Sequence, residues 1–549
     1  MTARNAARLL LASASLLLSP LRAQAGSELR LSLRHDPRTF DPALVDEDAG
    51  ETIRYFTGGV LIRLNRLTGK PEAGLAESWK VSPDGRTLHV RLRGGLRFSD
   101  GTPLTTGDVA FTFRRLMDPA LHSPTGDAFR SSAGVVATVI RSPAEMTIVF
   151  PARVASLERL LDQVAIQSAR SPLKERAVAG PFVVNEYQAG AFVLLGRNQN
   201  YWKQDARGRR LPYLDAVRFS IQSNREMESV RLRRGEVHMA EMLDPEIFDR
   251  LKKEPRVVAV DAGATTDMEM LWFNQAGQAS LAEYKKAWFR SREFRQGISA
   301  AINRSDIARL AYRNYAEPAY GPLPPASIWF NHKLLPPSYD PEQARRWFER
   351  AGFRFAGGRL WDARGNTVDF SIVTNAASKV HGQIAALIQQ DLQKVGVHVN
   401  IASLEFRSLI ERIAETSNYE ACLLGLVNVD DDPNGQMNLW LSASANHPWN
   451  PSQKSPATAW EAEIDRMMSM QAATADQHQR KRVFDRVQEL VQQQAPVIFL
   501  VNPHALVAYS RDLRDMLPSP ARPHLFWNIE RLSLANSGGA THARAALAH

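Results

Sequence analysis

The sequence predicts an α/β protein, and three observations carry that reading. Residues 367–401 run strand, helix, strand; the stretch from Ser78 to Met117 reads as a β-hairpin leading into a helix; and a helical stripe at Val483–Val491 is followed at once by a buried strand, Pro496–Val501.

Taken in order, Leu29-Arg30-Leu31-Ser32-Leu33 alternates apolar and polar residues as a strand does, and Pro37, Asp41 and Pro42 end it. Two extended runs then flank the turn Pro83-Asp84-Gly85, and a second turn follows at Ser99-Asp100-Gly101. Thr106 or Asp108 is expected to cap a helix that carries Val109, Phe113 and Leu116 on one face. Asp340-Pro341 announces another helix as cap and first residue, with Ala344, Trp347, Phe348 and Ala351 inside and Gly352 as its stop. Thr367–Thr374 alternates as a strand. Ile384, Leu387, Ile388, Leu392 and Val395 then recur at helical spacing, Gly396 supplies the left-handed stop, and Val397, Val399 and Ile401 alternate again. Strand, helix and strand of this length make a βαβ unit with a right-handed crossover. Val483, Phe484, Val487, Leu490 and Val491 form the last helix; no internal repeat is evident, and the Ala-rich tail from Ser537 reads as frayed.

At 549 residues the chain exceeds a single core of about 100–200 residues, so two or three subdomains are expected. Residues 1–25 stand apart. Arg4 and Arg8 precede the apolar run Leu9–Leu18, and Ala23-Gln24-Ala25 forms a small-x-small triplet, the order of a secretory signal peptide cleaved after Ala25. The run is too short for a bilayer core of about 30 Å. Cys422 is the single cysteine, so an internal disulfide is excluded, and none stands beside the cleavage site to carry a lipid. The expected compartment is the periplasm of a double-membraned bacterium.

Removing Arg4, Arg8 and Arg22 with the leader lowers the formal charge from +10 to +7, a mild balance that reads as a solvated surface. Basic runs interleaved with aromatics are missing, which argues against nucleic acid as a partner. The thirteen histidines and thirteen methionines are scattered without metal-ligand spacing, so no metal or other cofactor is expected. Phosphate-cradling glycine loops, H-E-x-x-H and G-x-S-x-G are absent as well, and Cys422 lies in the apolar run ACLLGL as a buried thiol. Catalytic residues are not expected, and the chain reads as a non-enzyme.

One set of segments in one order is more specific: TFDPALVD at Thr39, TGKPEAGLAESWKVSPDGRTLHVRLRGGLRFSDGTPLTTGDVAFTF at Thr68, GPFVVNEY at Gly180, RNQNYWK at Arg197 and LRRGEVHM at Leu232. It continues with WFN at Trp272, FRQGISAAINR at Phe294, YDPEQARRWFERAGF at Tyr339 and QELVQQQAPVIFL at Gln488. From about residue 28 to about residue 530 the chain resembles the large periplasmic solute-binding proteins of ABC importers, in the dipeptide, oligopeptide and nickel group (family 5). The resemblance implies a two-lobed periplasmic-binding-protein (Venus-flytrap) fold of the large class with an extra domain. Residues 26–58, 181–270 and 496–549 would make a discontinuous first lobe, 59–180 an extra domain packed on it, and 271–495 the second lobe. It also implies a monomer that closes over a peptide-like solute and delivers it to an inner-membrane permease driven by cytoplasmic ATPase subunits. A non-peptide solute such as an opine, an oligosaccharide or a chelated metal, or a sensory or chaperone role on the same fold, stays open beside it.

The same resemblance nominates site residues. In peptide-binding members a G-W-x-x-D-x-x-[DE]-P segment pairs with the ligand backbone, and its aspartate grips the α-ammonium. Laid on this chain, its glycine is Gly425 and its acid and proline are Asp432-Pro433, while Leu426 stands for the tryptophan and Val429 for the aspartate. Gly425, Leu426, Val427 and Asn428 would pair with an extended ligand. Either Asp430 takes the aspartate's role or the ligand lacks that ammonium; Asp431 and Asp432 are alternatively a solvated acidic turn. Asp46, Glu47 and Asp48 fall on the facing strand of the first lobe, where opposed carboxylates would attract a cationic ligand, or else form a helix-entry face. His381, near a helix start, would hold a ligand carboxylate or cap the helix, and the family's carboxylate-binding arginine falls on Leu423. Asn274 would serve ligand or hinge; Trp440 and Trp449 would wall the pocket or belong to the core.

Overall fold

The computed structural model describes residues 27–171, 177–427 and 431–535. The expected leader and the Ala-rich tail lie outside them.

The first lobe is built on a four-stranded sheet in the order Glu28–Leu33, Ala216–Ile221, Phe192–Arg197, Phe182–Gln188, its first pair parallel and the others antiparallel. The predicted alternation holds, with Leu29, Leu31 and Leu33 pointing inward. There they share one core with Ile53 and Phe56 of the helix Asp48–Thr57 and with Val507, Leu525 and Leu532 from the far end of the chain.

Beside it, the strands Ala76–Val81, Thr87–Leu92, Glu145–Val149 and Ala137–Ile140 form an antiparallel sheet that carries the helix Thr106–Met117. Its cap is Thr105, not Thr106 or Asp108. The Thr106 hydroxyl is engaged elsewhere, donating to Ser142 O at 2.6 Å. Asp108 sits at the third helical position and accepts from Thr105 N at 2.8 Å, completing a capping box.

In the second lobe the strands run Met268–Phe273, Ala421–Leu426, Asp369–Asn375, His398–Leu404. The predicted βαβ unit is present: Asp369–Asn375 and His398–Leu404 pair in parallel over seven residues, and the helix Lys379–Gln393 between them buries Ile384, Ile388 and Leu392. Gly396 takes φ +80°, the left-handed turn expected of it. Asp340 caps the helix Pro341–Arg350, accepting from Gln343 N at 2.9 Å.

Two segments join the lobes. Val257–Ala264 belongs with the first lobe and passes directly into Met268–Phe273 of the second. The other is the strand Val497–Ser510, which extends well past the Val501 limit read from the sequence. Its first half pairs with Glu269–Trp272 and its second half with Val257–Asp261. Pro503 stands at the changeover, where the strand's partner is the short Ala316–Pro318 and the Pro503 carbonyl accepts from Thr265 N at 2.9 Å.

Candidate functional site

The parallel strands of the second lobe end toward the first lobe, where ligands collect in open α/β folds. Ala421–Leu426 pairs along its whole length with Met268–Phe273 on one side, but on the other Asp369–Asn375 reaches only Ala421 and Cys422. Leu424 to Val427 therefore present a backbone edge with no neighbouring strand among the described residues. Leu424, Gly425 and Leu426 are half-buried, and Val427 is exposed. Asn428, Val429 and Asp430 lie outside the described residues.

Across the strand pair, Gly425 stands opposite Glu269, the single charged residue of the apolar strand MEMLWF. A Cβ on residue 425 would come within 3.1 Å of Glu269 Oε2 and 3.2 Å of Oε1, so the glycine leaves the place the carboxylate occupies. Two donors hold that carboxylate: Tyr312 OH at 2.7 Å from Oε1 and His381 Nε2 at 3.0 Å from Oε2. His381 is in the first turn of Lys379–Gln393, where Ser378 caps the helix by accepting from His381 N. Burial works against charge on the His381 imidazole, but the hydrogen bond and negative charge of Glu269 outweigh it and hold its pKa above the ordinary histidine value. Burial, then Glu269, pushes Tyr312 well above the usual tyrosine range, so its hydroxyl stays a donor.

The first lobe holds further carboxylates, of which Asp244 lies within the field of Lys379 of the second lobe. Burial drives Glu228 up to about 7, with Arg34 only partly opposing it, and Glu241 up to about 7 despite the Leu525 backbone N–H and Arg522. Asp244 is open to water yet crowded by protein, which raises its pKa, and its field together with that of Asp267 reaches Tyr312. Direct contacts span the seam as well: Lys379 Nζ to Glu246 Oε2 at 2.6 Å, and Arg313 Nε to Asp249 Oδ2 at 2.6 Å.

The remaining nominated residues are occupied by the fold. Glu47 is the N-cap of Asp48–Thr57, accepting from Ala49 N and Gly50 N; Asp48 opens that helix, and Asp46 pairs with Arg38 at 3.2 Å. The Asn274 amide donates to the Ser417 and Tyr419 carbonyls and accepts from Ala276 N. Trp440 and Trp449 lie in the core of the second lobe, their indole N–H groups donating to Gln436 and Glu461. Leu423 is fully buried, as is Cys422, whose thiol burial pushes well above its usual pKa. Asp431 and Asp432 are not a solvated turn. Asp432 is buried against Arg480 and Ser156, and Asp431 pairs with Arg159 at 3.2 Å, fastening the second lobe to the extra domain.

Sequence reasoning missed Glu269, Tyr312, Glu228, Glu241 and Asp244. Only Glu269 carried a visible signal, a lone charge inside an otherwise apolar strand.

Two hinged lobes with an open strand edge and a buried polar cluster at their seam define a solute-binding protein. The family model for bacterial extracellular solute-binding proteins, family 5 (Middle), matches residues 70–448, and the chain belongs to that family. The chain is 25% identical over 530 residues to di/tripeptide-binding protein 1 of Pseudomonas aeruginosa, covering 90% of this chain and 92% of that one. Among solved structures it is similar to the oligopeptide-binding protein AppA of Bacillus subtilis in complex with a nonapeptide, with TM-score 0.74, 21% identity and coverage of 93% and 99% of the two chains. It is also similar to NikA of Brucella suis in complex with Fe(III)-EDTA, with TM-score 0.79, 17% identity and coverage of 92% and 99%. These relatives are binding proteins by name. No helix among the described residues is long and apolar enough to cross a membrane.

Proposed function

We propose that the chain is exported with cleavage after Ala25, works in the periplasm, and captures a peptide-like solute between its lobes for an inner-membrane permease with cytoplasmic ATPase subunits. The observation that carries this reading is the unpaired edge of Leu424–Val427. An extended ligand that adds to such an edge gains main-chain hydrogen bonds whatever its side chains, which suits a receptor for peptides of varied sequence. Closure of the lobes then buries those bonds away from water, and the permease reads the closed form.

Native mass spectrometry of protein purified without refolding tests the reading. The expected result is a retained solute whose mass and fragmentation are those of a short peptide. Protein that carries a non-peptide solute, and whose melting temperature no peptide pool shifts, would defeat it.

A second reading, a non-peptide solute, draws on Leu423, Leu426 and Val429, which by the sequence resemblance stand in place of an arginine, a tryptophan and an aspartate. Among the described residues no group of three or more His, Cys, Asp or Glu is arranged to hold a metal ion.

A further inference from the structure

We propose that Glu269 is the specificity-determining residue of the seam and that it anchors a cationic group of the captured solute other than a peptide's terminal ammonium: a side-chain or polyamine ammonium, or a guanidinium. The proposal rests on the reading of the interlobe seam as the binding site and adds the chemical class of what enters it.

Of the carboxylates in the segment that begins at Gly425, Asp431 and Asp432 are consumed by Arg159 and Arg480. Among the described residues Glu269 has no lysine or arginine partner: it is held by the Tyr312 hydroxyl and by the His381 imidazole, whose charge comes and goes with pH. Tyr312 keeps its proton, so it orients the carboxylate without neutralising it. A buried carboxylate held by donors but lacking a permanent countercharge is costly unless a cation arrives, and that cost is recovered only in the liganded state.

Placement comes next. Glu269 lies directly over Gly425, within the unpaired stretch Leu424–Val427. A ligand strand paired to that edge therefore runs alongside the carboxylate, and one positively charged group along it would be fixed in register. The surrounding field agrees in sign, because Asp244 and Asp267 also act on Tyr312. Two of the nearby cations are engaged, Arg522 with Asp267 at 2.6 Å and Lys379 with Glu246 at 2.6 Å, while Arg34 acts on Asp244 and Glu228 from the first lobe.

His381 then acts as a positioning residue with a second property. It is nine-tenths buried, and its Nδ1 has no hydrogen-bond partner among the described residues. Charged, it neutralises Glu269 and competes with a ligand cation; neutral, it leaves the carboxylate at full strength. The charged groups around the pair are Glu269 from the crossing strand, Asp267 from the hinge with Arg522 paired to it, Asp244, Glu246 and Arg34 from the first lobe, and Lys379 on its own helix. Cation affinity should therefore rise with pH through the His381 titration and level off above it.

The test is calorimetric titration of the mature chain with trilysine, spermidine, trialanine and triglutamate, repeated on Glu269→Gln, Glu269→Asp and His381→Asn. The expected result is that trilysine or spermidine binds the wild type and that Glu269→Gln weakens it by about tenfold or more. Glu269→Asp, which keeps the charge, should retain most of the preference over trialanine and shows that a loss in Glu269→Gln is not misfolding. His381→Asn should flatten the pH dependence. Binding of spermidine but of no peptide would sink the peptide reading and leave this one standing. Binding of trialanine or triglutamate in preference to both cations, failure of both cations to bind, or a Glu269→Gln variant with unchanged selectivity would overturn it.

Discussion

Asp432 and Arg480 form a two-point ion pair, both side chains almost wholly buried, where the second lobe meets the extra domain. Ser156 of the extra domain donates to Asp432 Oδ2 at 3.0 Å and accepts from Arg480 at 2.9 Å, and the guanidinium lies 4.8 Å from the centre of the Trp329 ring. The pair thus joins three parts of the chain at one desolvated point. Asn434 Nδ2 reaches Ala155 O beside it at 3.0 Å.

Removing one partner leaves the other charged and buried. Asp432→Ala should cost about 3–5 kcal/mol, read as a drop in the urea midpoint. The double variant Asp432→Ala, Arg480→Met should recover part of that loss, because no charge is stranded. Equal losses in the single and double variants would show that the cost comes from packing and not from the stranded guanidinium.

Asn274 yields a contrasting expectation. Its amide makes three hydrogen bonds to backbone groups, at 2.8, 3.0 and 3.1 Å, and is itself buried. Asn274→Ala should therefore lower stability by about 2–3 kcal/mol and leave the affinity of a bound solute unchanged. A variant with normal melting but weakened binding would return Asn274 to the ligand.

How much of this was readable beforehand depends on distance along the chain. The βαβ unit and the Asp340 cap were legible because periodicity and capping are local, and the family segments added the lobes. The Val497–Ser510 strand runs past Val501 because its second half is held by Val257–Asp261, far away in sequence, and Pro503 stands where partners change and a ladder N–H is dispensable. Glu228, on the charged helix REMESVRLRR, reads as an ordinary surface residue. Its burial arises from how the lobe's segments assemble, which no local pattern encodes. The same holds for Asp431 and Asp432, whose partners are Arg159 and Arg480, far away in sequence.

Two buried carboxylates of the first lobe and His381 of the second make stability depend on pH. Glu228 and Glu241 have folded-state pKa values near 7 against an ordinary 4.5. The folded protein therefore holds protons that the unfolded chain has released between those values, and stability falls as pH rises across that window. His381 acts in the same direction: its folded pKa is raised, so the stability it contributes is present below about 6.5 and lost as pH climbs through the folded value. The two glutamates together amount to a loss on the order of a few kcal/mol between pH 4.5 and 7.5. Urea titrations of ligand-free protein at the two pH values measure it. Glu241→Gln should flatten the dependence, and a wild type more stable at pH 7.5 would contradict the assignment.

Gly425→Ala tests the contact on which the seam turns. Gly425 is not among the residues with left-handed backbone, so an alanine there meets no conformational penalty of its own. What it meets is the Glu269 carboxylate, at 3.1 and 3.2 Å. That group cannot swing aside freely, because Tyr312 and His381 grip it from two directions. Either one of those hydrogen bonds breaks or the paired strands separate slightly, for an expected loss of about 1–3 kcal/mol. Because the methyl stands on the face of the sheet and not along its edge, the backbone groups of Leu424–Val427 stay available. Solute binding should then fall through displacement of Glu269 alone. A double-mutant cycle with Glu269→Ala isolates this: with the carboxylate gone, alanine at 425 should be nearly neutral, giving a coupling above about 1 kcal/mol. If alanine costs the same in both backgrounds, the glycine is there for its backbone and not to seat the acid.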